Sequence, residues 1–200
     1  MKTFLMLLII FPVCLSAQKE AGTKFIYSGL NYSPGITKLI APILGFYLVD
    51  KKKNINDFQL NRLNFDKSDI NTDFHISASY HKIIGLNKKN DSKFYLGIGM
   101  GVSLYYKYKA NRPTVTSTFT NGSAAIGTVL SIKPVINYAF TKKLYLGIST
   151  NLGLVDQAIA SSRYDNPILT AEQQRVTTFD TNILGLSNLN FDLTLGFNIN

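Results

Sequence analysis

The sequence predicts an all-β fold: an antiparallel, up-and-down β-barrel of about eight strands that crosses a membrane. Three observations carry this expectation. Apolar residues recur with a period of two over segments longer than soluble sheets need. The alternate positions of the best of these segments hold Gly, Ser, Asn and Tyr and no charge. The composition agrees, with 14 Gly, 11 Tyr and 13 Phe in 200 residues and only 16% charged side chains, well under the quarter usual for soluble domains. With 46% hydrophobic residues, long disorder is excluded. Beyond the first residues no run of 18 apolar residues marks a transmembrane helix.

The chain opens on Met1-Lys2-Thr3, continues through Phe4 to Leu15 without a charge, and reaches Ser16-Ala17-Gln18. A basic start, a short apolar stretch and a small residue before a polar one make a cleaved secretory signal over residues 1–17, leaving 18–200 as one barrel domain. The apolar run is too short to span a bilayer, and Lys19 and Glu20 follow at once. Lipid attachment at Cys14 would require a small residue where Val13 stands. Cleavage after Ala17 removes Lys2, which lowers the formal charge from +9 to +8, and removes the one cysteine. A chain so processed has no disulfide, no thiol nucleophile and no thiolate metal ligand.

Eight strands are expected, over 24–33, 38–49, 55–65, 72–84, 93–107, 125–140, 143–155 and 189–200. In the fifth, Phe94, Leu96, Ile98, Met100, Val102 and Leu104 form one face against Tyr95, Gly97, Gly99, Gly101, Ser103 and Tyr105. In the seventh, Leu144, Leu146, Ile148 and Leu152 oppose Tyr145, Gly147, Ser149 and Asn151, with Thr150 breaking the apolar row. The sixth sets Leu130, Ile132, Ile136, Tyr138 and Phe140 against a row that includes Lys133, and the last sets Phe191, Leu193, Leu195, Phe197 and Ile199 against Asp192, Thr194 and Gly196. A soluble sheet would collect Lys and Glu on its second face. Small hydrogen-bonding groups there fit a narrow, packed lumen, with the apolar rows turned to lipid. Phe94 to Leu104 spans roughly 33 Å, and a tilt of about 40° reduces this to the ~25 Å apolar band of an outer-membrane barrel.

Thr141-Lys142-Lys143 and residues 87–92 are short connections, whereas 108–124 and 156–188 are long. Barrels of this class have short periplasmic turns and long outer loops, which puts Lys51-Lys52-Lys53 in a periplasmic turn. Ten strands result if Val176 to Leu184 pairs with a neighbour, since a 33-residue structureless loop is uncommon. Arg62 falls in the apolar row of Phe58 and Leu60. Pro134 sits mid-strand, where it removes a ladder donor and signals a bulge.

The signal ending Leu15-Ser16-Ala17-Gln18, the Gly29-Leu30-Asn31 of the first strand and the repeated Lys93-Phe94-Tyr95-Leu96-Gly97-Ile98 and Lys143-Leu144-Tyr145-Leu146-Gly147-Ile148 resemble the small outer-membrane β-barrel (porin-like) family of Gram-negative bacteria. The resemblance implies an outer-membrane location, contact with its lipids, and handling by the barrel assembly machinery. Members commonly end in an aromatic residue, where this chain has Asn200. It implies no single activity.

Other constellations are weighed against plainer accounts. Gly97-x-Gly99-x-Gly101 lacks the following helix of a phosphate loop, and its glycines are expected to make room for Tyr neighbours. Asp73, His75, Ser77, Ser79 and His81 share one strand face. His-x-Ser on a strand resembles lipid A deacylase barrels, but the acidic partner expected about a dozen residues later is missing. The expectation is a lumen network in which Asp73, His75, Ser77 and His81 hydrogen bond and Asp73 and His81 pair with cations such as Lys133. The two His are roughly 20 Å apart along the strand and cannot share a metal ion. Tyr105, Tyr106 and Tyr108, interleaved with Lys107 and Lys109, are expected as an aromatic girdle rather than a nucleic-acid patch. Arg112, Arg163 and Arg175 fall in the long loops, placed for anionic lipopolysaccharide or for solvent.

Taken together, these readings give a non-enzymatic outer-membrane barrel with no cofactor or metal and a structural or surface-loop contact role. An eight-stranded lumen is filled by side chains. The alternatives are a small porin, a lipid-modifying hydrolase using His75 and Ser77, and a soluble lipocalin-like carrier with Leu96 and Leu146 inside.

Overall fold

The structure, a computed structural model, describes residues 21–34, 39–67, 71–87, 93–111, 121–164, 170, 172–184 and 189–199. The expected signal peptide, Arg112 and the middle of the connection at 108–124 lie outside these residues. The strands are β1 (Lys24–Ser33), β2 (Leu39–Val49), β3 (Ile55–Lys67), β4 (Asn71–Gly85), β5 (Phe94–Asn111), β6 (Asn121–Ala139), β7 (Leu144–Tyr164), β8 (Arg175–Ile183) and β9 (Leu189–Asn198). Eight of them close a ring: each pairs antiparallel with the next from β1 to β7, then β7 with β9 and β9 with β1. The lower end of the barrel holds Lys24, Asn198 and the turns after β2, β4 and β6.

β8 is not part of the ring. β7 has 21 residues; its lower half, Leu144–Leu152, pairs with β9, and its upper half, Val155–Arg163, pairs with β8. β8 and β9 are thus two collinear lengths along one long strand. Val176 does pair with a neighbour, but the pairing lengthens the wall above the ring instead of widening it. Leu184 ends β8 in a left-handed conformation, φ 52°, with its amide donating to the Leu154 carbonyl at 2.9 Å.

Residues 108–111, 121–124, 156–164 and 175–183, expected in the long loops, are strand. β5, β6 and β7 run 18, 19 and 21 residues, against 10 or 11 in β1, β2 and β9, so one wall stands taller than the other. Alternation fades in these upper parts, which is why the sequence pattern understated them.

Two irregularities reset the faces. The β3–β4 register shifts between Asn61 and Asn64, so Arg62 and Leu63 fall in a bulge. The extra residue flips the parity of β3: Phe58 and Leu60 face outward below it, and Phe65 faces outward above it. Pro134 does not make the expected bulge. The β6–β7 ladder resumes at Val135 opposite Ser149 in the register it had at Ile132 opposite Leu152, and the register shift lies between Leu130 and Ser131 instead.

The apolar rows point outward. Phe94, Leu96, Ile98, Met100, Val102, Leu104, Ile148, Leu152, Leu193, Leu195 and Phe197 are all exposed; Leu144 and Leu146 are half-buried on the same face. The lower lumen differs from the expected polar filling. Ile43, Val49, Ile55, Ile83 and Val135 pack there with Phe25, Tyr27, Tyr47 and Tyr145. The rings of Tyr47 and Tyr145 stack at 5.7 Å, and Tyr27 lies 4.5 Å from Tyr47.

Inward rings are matched by glycines directly across the ladder. Tyr27 faces Gly45 and Gly196, Tyr145 faces Gly196, Tyr105 faces Gly127 and His81 faces Gly101. A Cβ on any of these four glycines would overlap the facing ring. The glycines of β5 thus clear space for side chains in mid-strand.

Candidate functional site

A polar layer crosses the lumen above the aromatic one. Lys133 on β6 is 1% exposed and donates from Nζ to Asp57 Oδ2 and to Gln59 Oε1, both at 2.7 Å on β3. Asp192 Oδ2 on β9 lies 3.6 Å from the same ammonium. Each carboxylate has further donors. Tyr27 OH donates to Asp57 Oδ1 at 2.5 Å; Asn31 Nδ2, Gln59 Nε2 and Ser149 Oγ donate to Asp192 at 2.6, 3.1 and 3.2 Å. Side chains from β1, β3, β6, β7 and β9 meet in this layer. A buried charge is tolerable only when paired and hydrogen-bonded in this way.

Lys133 lies in the lumen, and its partners there are Asp57, Gln59 and Asp192 in place of the expected Asp73 and His81. Asp73 is exposed near the upper end of β4. Lys133 stands level with Gly99 and Ile83, ten residues further along β4. That separation is roughly 33 Å, far beyond any ion pair. His81 is buried, with Nε2 2.9 Å from Ser131 Oγ. Asp57 and Asp192 were the missed groups. Their signal was present: each is a carboxylate on the inward row of its strand, between uncharged neighbours of that row.

Ser77 and His75 are engaged with different neighbours. The Ser77 hydroxyl donates to Asn61, through both its backbone and side-chain oxygens. The His75 ring packs edge-on against Tyr105, with centroids 6.2 Å apart. Above the charged layer, Asn61, Ser77, Ser103, Tyr105, Val129, Asn151 and Asn190 line a cavity of about 20 Å³, room for one water. Tyr105 belongs to this interior and not to the expected girdle: its hydroxyl donates to Asp156 Oδ1 at 2.9 Å, and Lys107 Nζ lies 4.6 Å from its ring centre. Tyr106 and Tyr108 do face outward. Arg163 and Arg175 stand opposite each other at the top of β7 and β8, exposed. Among the described residues, no group of three His, Cys, Asp or Glu side chains is placed to hold a metal ion.

The lower rim is basic. Lys24, Lys51, Lys52, Lys53, Lys142 and Lys143 are exposed there, and Lys82 points outward just above it. Asp50 is the rim's one carboxylate among the described residues outside the lumen. It is committed to the β2–β3 turn, where Oδ1 accepts from the amides of Lys52 and Asn54 at 2.8 and 2.9 Å, and Oδ2 from Asn54 Nδ2 at 3.1 Å. The partial burial of Asp50 would by itself push its carboxyl up, but these hydrogen bonds and the charge of Lys82 outweigh it, and the pKa is lowered.

These features define a closed eight-stranded antiparallel barrel, apolar outside and packed with side chains in its lower lumen, with a tall wall at one end and a lysine rim at the other. No protein-family model matches the chain, and no curated protein is significantly similar to it.

Proposed function

We propose that this is a non-enzymatic outer-membrane barrel whose lumen does not conduct, acting through structural support of the membrane or through contacts at its upper end. One observation carries the reading. Leu30, Leu193, Ile148, Ile136 and Leu96 lie directly opposite one another across five strands, an unbroken outward apolar row with nothing over it among the described residues. Contiguous exposed apolar surface of that kind is rare on soluble monomers, and only a closed barrel satisfies every backbone group in lipid without helices. A soluble carrier would hold Leu96 and Leu146 inside, on the face that Gly97 and Tyr145 occupy. The filled lumen favours a closed barrel over a small porin. The engagement of Ser77 with Asn61 favours a structural hydroxyl over a nucleophile. Its partners on this reading are outer-membrane lipids, including lipopolysaccharide at the exposed upper arginines, and the barrel assembly machinery.

The test is to extract the protein from the outer-membrane fraction in detergent, compare boiled and unboiled migration on a gel, and measure conductance in planar bilayers. A shifted unboiled band with no conductance supports the proposal. Recovery in the soluble fraction without a shift overturns the membrane assignment, and stepwise conductance overturns the closed lumen. Ser77→Ala is expected to change neither lipid acylation nor esterase activity.

A further inference from the structure

Residues of the β2–β3 turn and of the outward face of β4 line an open groove of about 630 Å³: Asp50, Lys51, Lys52, Asn54, Lys82 and Ile84. Three cations and one carboxylate line it. The carboxylate is turned to the backbone of its own turn, as described above, and among the described residues Lys51, Lys52 and Lys82 make no ion pair. Ile84 is 54% exposed on the groove's floor and stands directly opposite Ile98 of β5, where the outward apolar surface begins. Phosphate-binding charge at one end and an apolar track leading from it match the two halves of a lipid.

We propose that this groove binds the phosphate of an anionic phospholipid headgroup through Lys51, Lys52 and Lys82, with the acyl chains laid from Ile84 along the barrel wall. The inference rests on the membrane-spanning reading, which places the lower rim at the periplasmic leaflet. Lysine ammonium groups bind phosphate as mobile point charges, without needing fixed bidentate geometry. Charge near a membrane surface attracts anionic lipid additively. Ile84 distinguishes a lipid from a free anion, because inorganic phosphate gains nothing from an apolar floor.

The experiment is native mass spectrometry of the full-length processed barrel released from detergent micelles carrying phosphatidylglycerol or phosphatidylcholine. The native protein is expected to retain phosphatidylglycerol in preference. The triple variant Lys51→Gln, Lys52→Gln, Lys82→Gln is expected to lose that retention by roughly tenfold or more. The pair Lys142→Gln, Lys143→Gln, which alters the same rim away from the groove, is expected to leave it within about twofold. Equal retention of both lipids, or unchanged retention in the triple variant, overturns the site. Displacement of the lipid by excess inorganic phosphate assigns the lysines to a soluble anion and overturns the lipid assignment. Failure of the membrane reading shows itself separately: the native protein would then not enter vesicles at all, and its unboiled band would not shift.

Discussion

Lys133 and Asp57 stand 76 residues apart in sequence on β6 and β3, and their side chains meet across the lumen at 2.7 Å. No ladder connects those two strands, so the contact ties one wall of the ring to another from within. Replacing Lys133 by Met would leave Asp57 and Asp192 buried with no ammonium between them, and uncompensated buried charge of this kind costs about 3–5 kcal/mol. The unboiled gel shift of Lys133→Met is expected to be lost at a clearly lower temperature than that of the native protein. Asp57→Asn should cost less, because Asp192 still faces the ammonium. Adding Asp57→Leu to Lys133→Met should recover part of the loss. Equal stability of Lys133→Met and the native protein would remove this ion pair from any structural role.

Two glycines test what glycine does in this wall. A Cβ on Gly29 would overlap the backbone carbonyl of Leu193 at the β1–β9 seam, whereas one on Gly45 would overlap the ring of Tyr27. Backbone cannot yield without parting the strands, but a side chain can be removed. Gly29→Ala is therefore expected to reduce refolding yield whatever else is changed. Gly45→Ala, an overpacking change worth about 1–3 kcal/mol, should be partly relieved by Tyr27→Leu. Refolding into detergent, scored by the unboiled band, separates the two.

The lower part of the barrel was legible because the outward and inward faces of the wall impose opposite demands on alternate residues. Phe94 to Leu104 needed no further information to be placed. The readings that failed lie where those demands lapse. Residues 156–164 carry mostly small and polar groups on both faces, with Ile159 the exception, so the alternation that marks the strands lower down is absent from this sequence. Arg62 disturbed the pattern because a bulge resets parity there, which a strict period of two cannot express. Tyr105 was grouped with Tyr106 and Tyr108 by adjacency, although neighbours on a strand face opposite ways. The partners of Lys133 depended on the height of Asp57 and Asp192 in the ring, a quantity set by register across strands and absent from any single segment.

The carboxylate of the β2–β3 turn gives a pH signature outside the strands. Because the folded-state pKa of Asp50 is lowered, its contribution to the turn is fully present above the ordinary carboxylate value of about 3.9 and is lost as pH falls through the lowered folded value. Amide chemical shifts of Lys52 and Asn54, followed by NMR in micelles, should titrate together with a midpoint below about 3.9. The shared transition should vanish in Asp50→Ala. A midpoint at or above the ordinary value would show that the turn hydrogen bonds do not hold in solution.

β8 and β9 lie on the same strand and differ in what depends on them. All nine residues of β8 are exposed, and its ladder runs only to the upper half of β7; β9 closes the ring, pairing with β1 on one side and β7 on the other. Proline removes a backbone donor and is tolerated in sheets only at edges and bulges. Thr178→Pro, in β8, is expected to leave the unboiled gel shift and its thermal midpoint close to native. Thr194→Pro, in β9, sits opposite both Gly29 and Gly147 and should prevent closure, giving a protein that migrates alike whether boiled or not. If Thr178→Pro also abolished the shift, the upper wall would be required for barrel closure and β8 would have to be counted as part of the folding unit. If Thr194→Pro folded normally, the β1–β9 seam would not be the closing one.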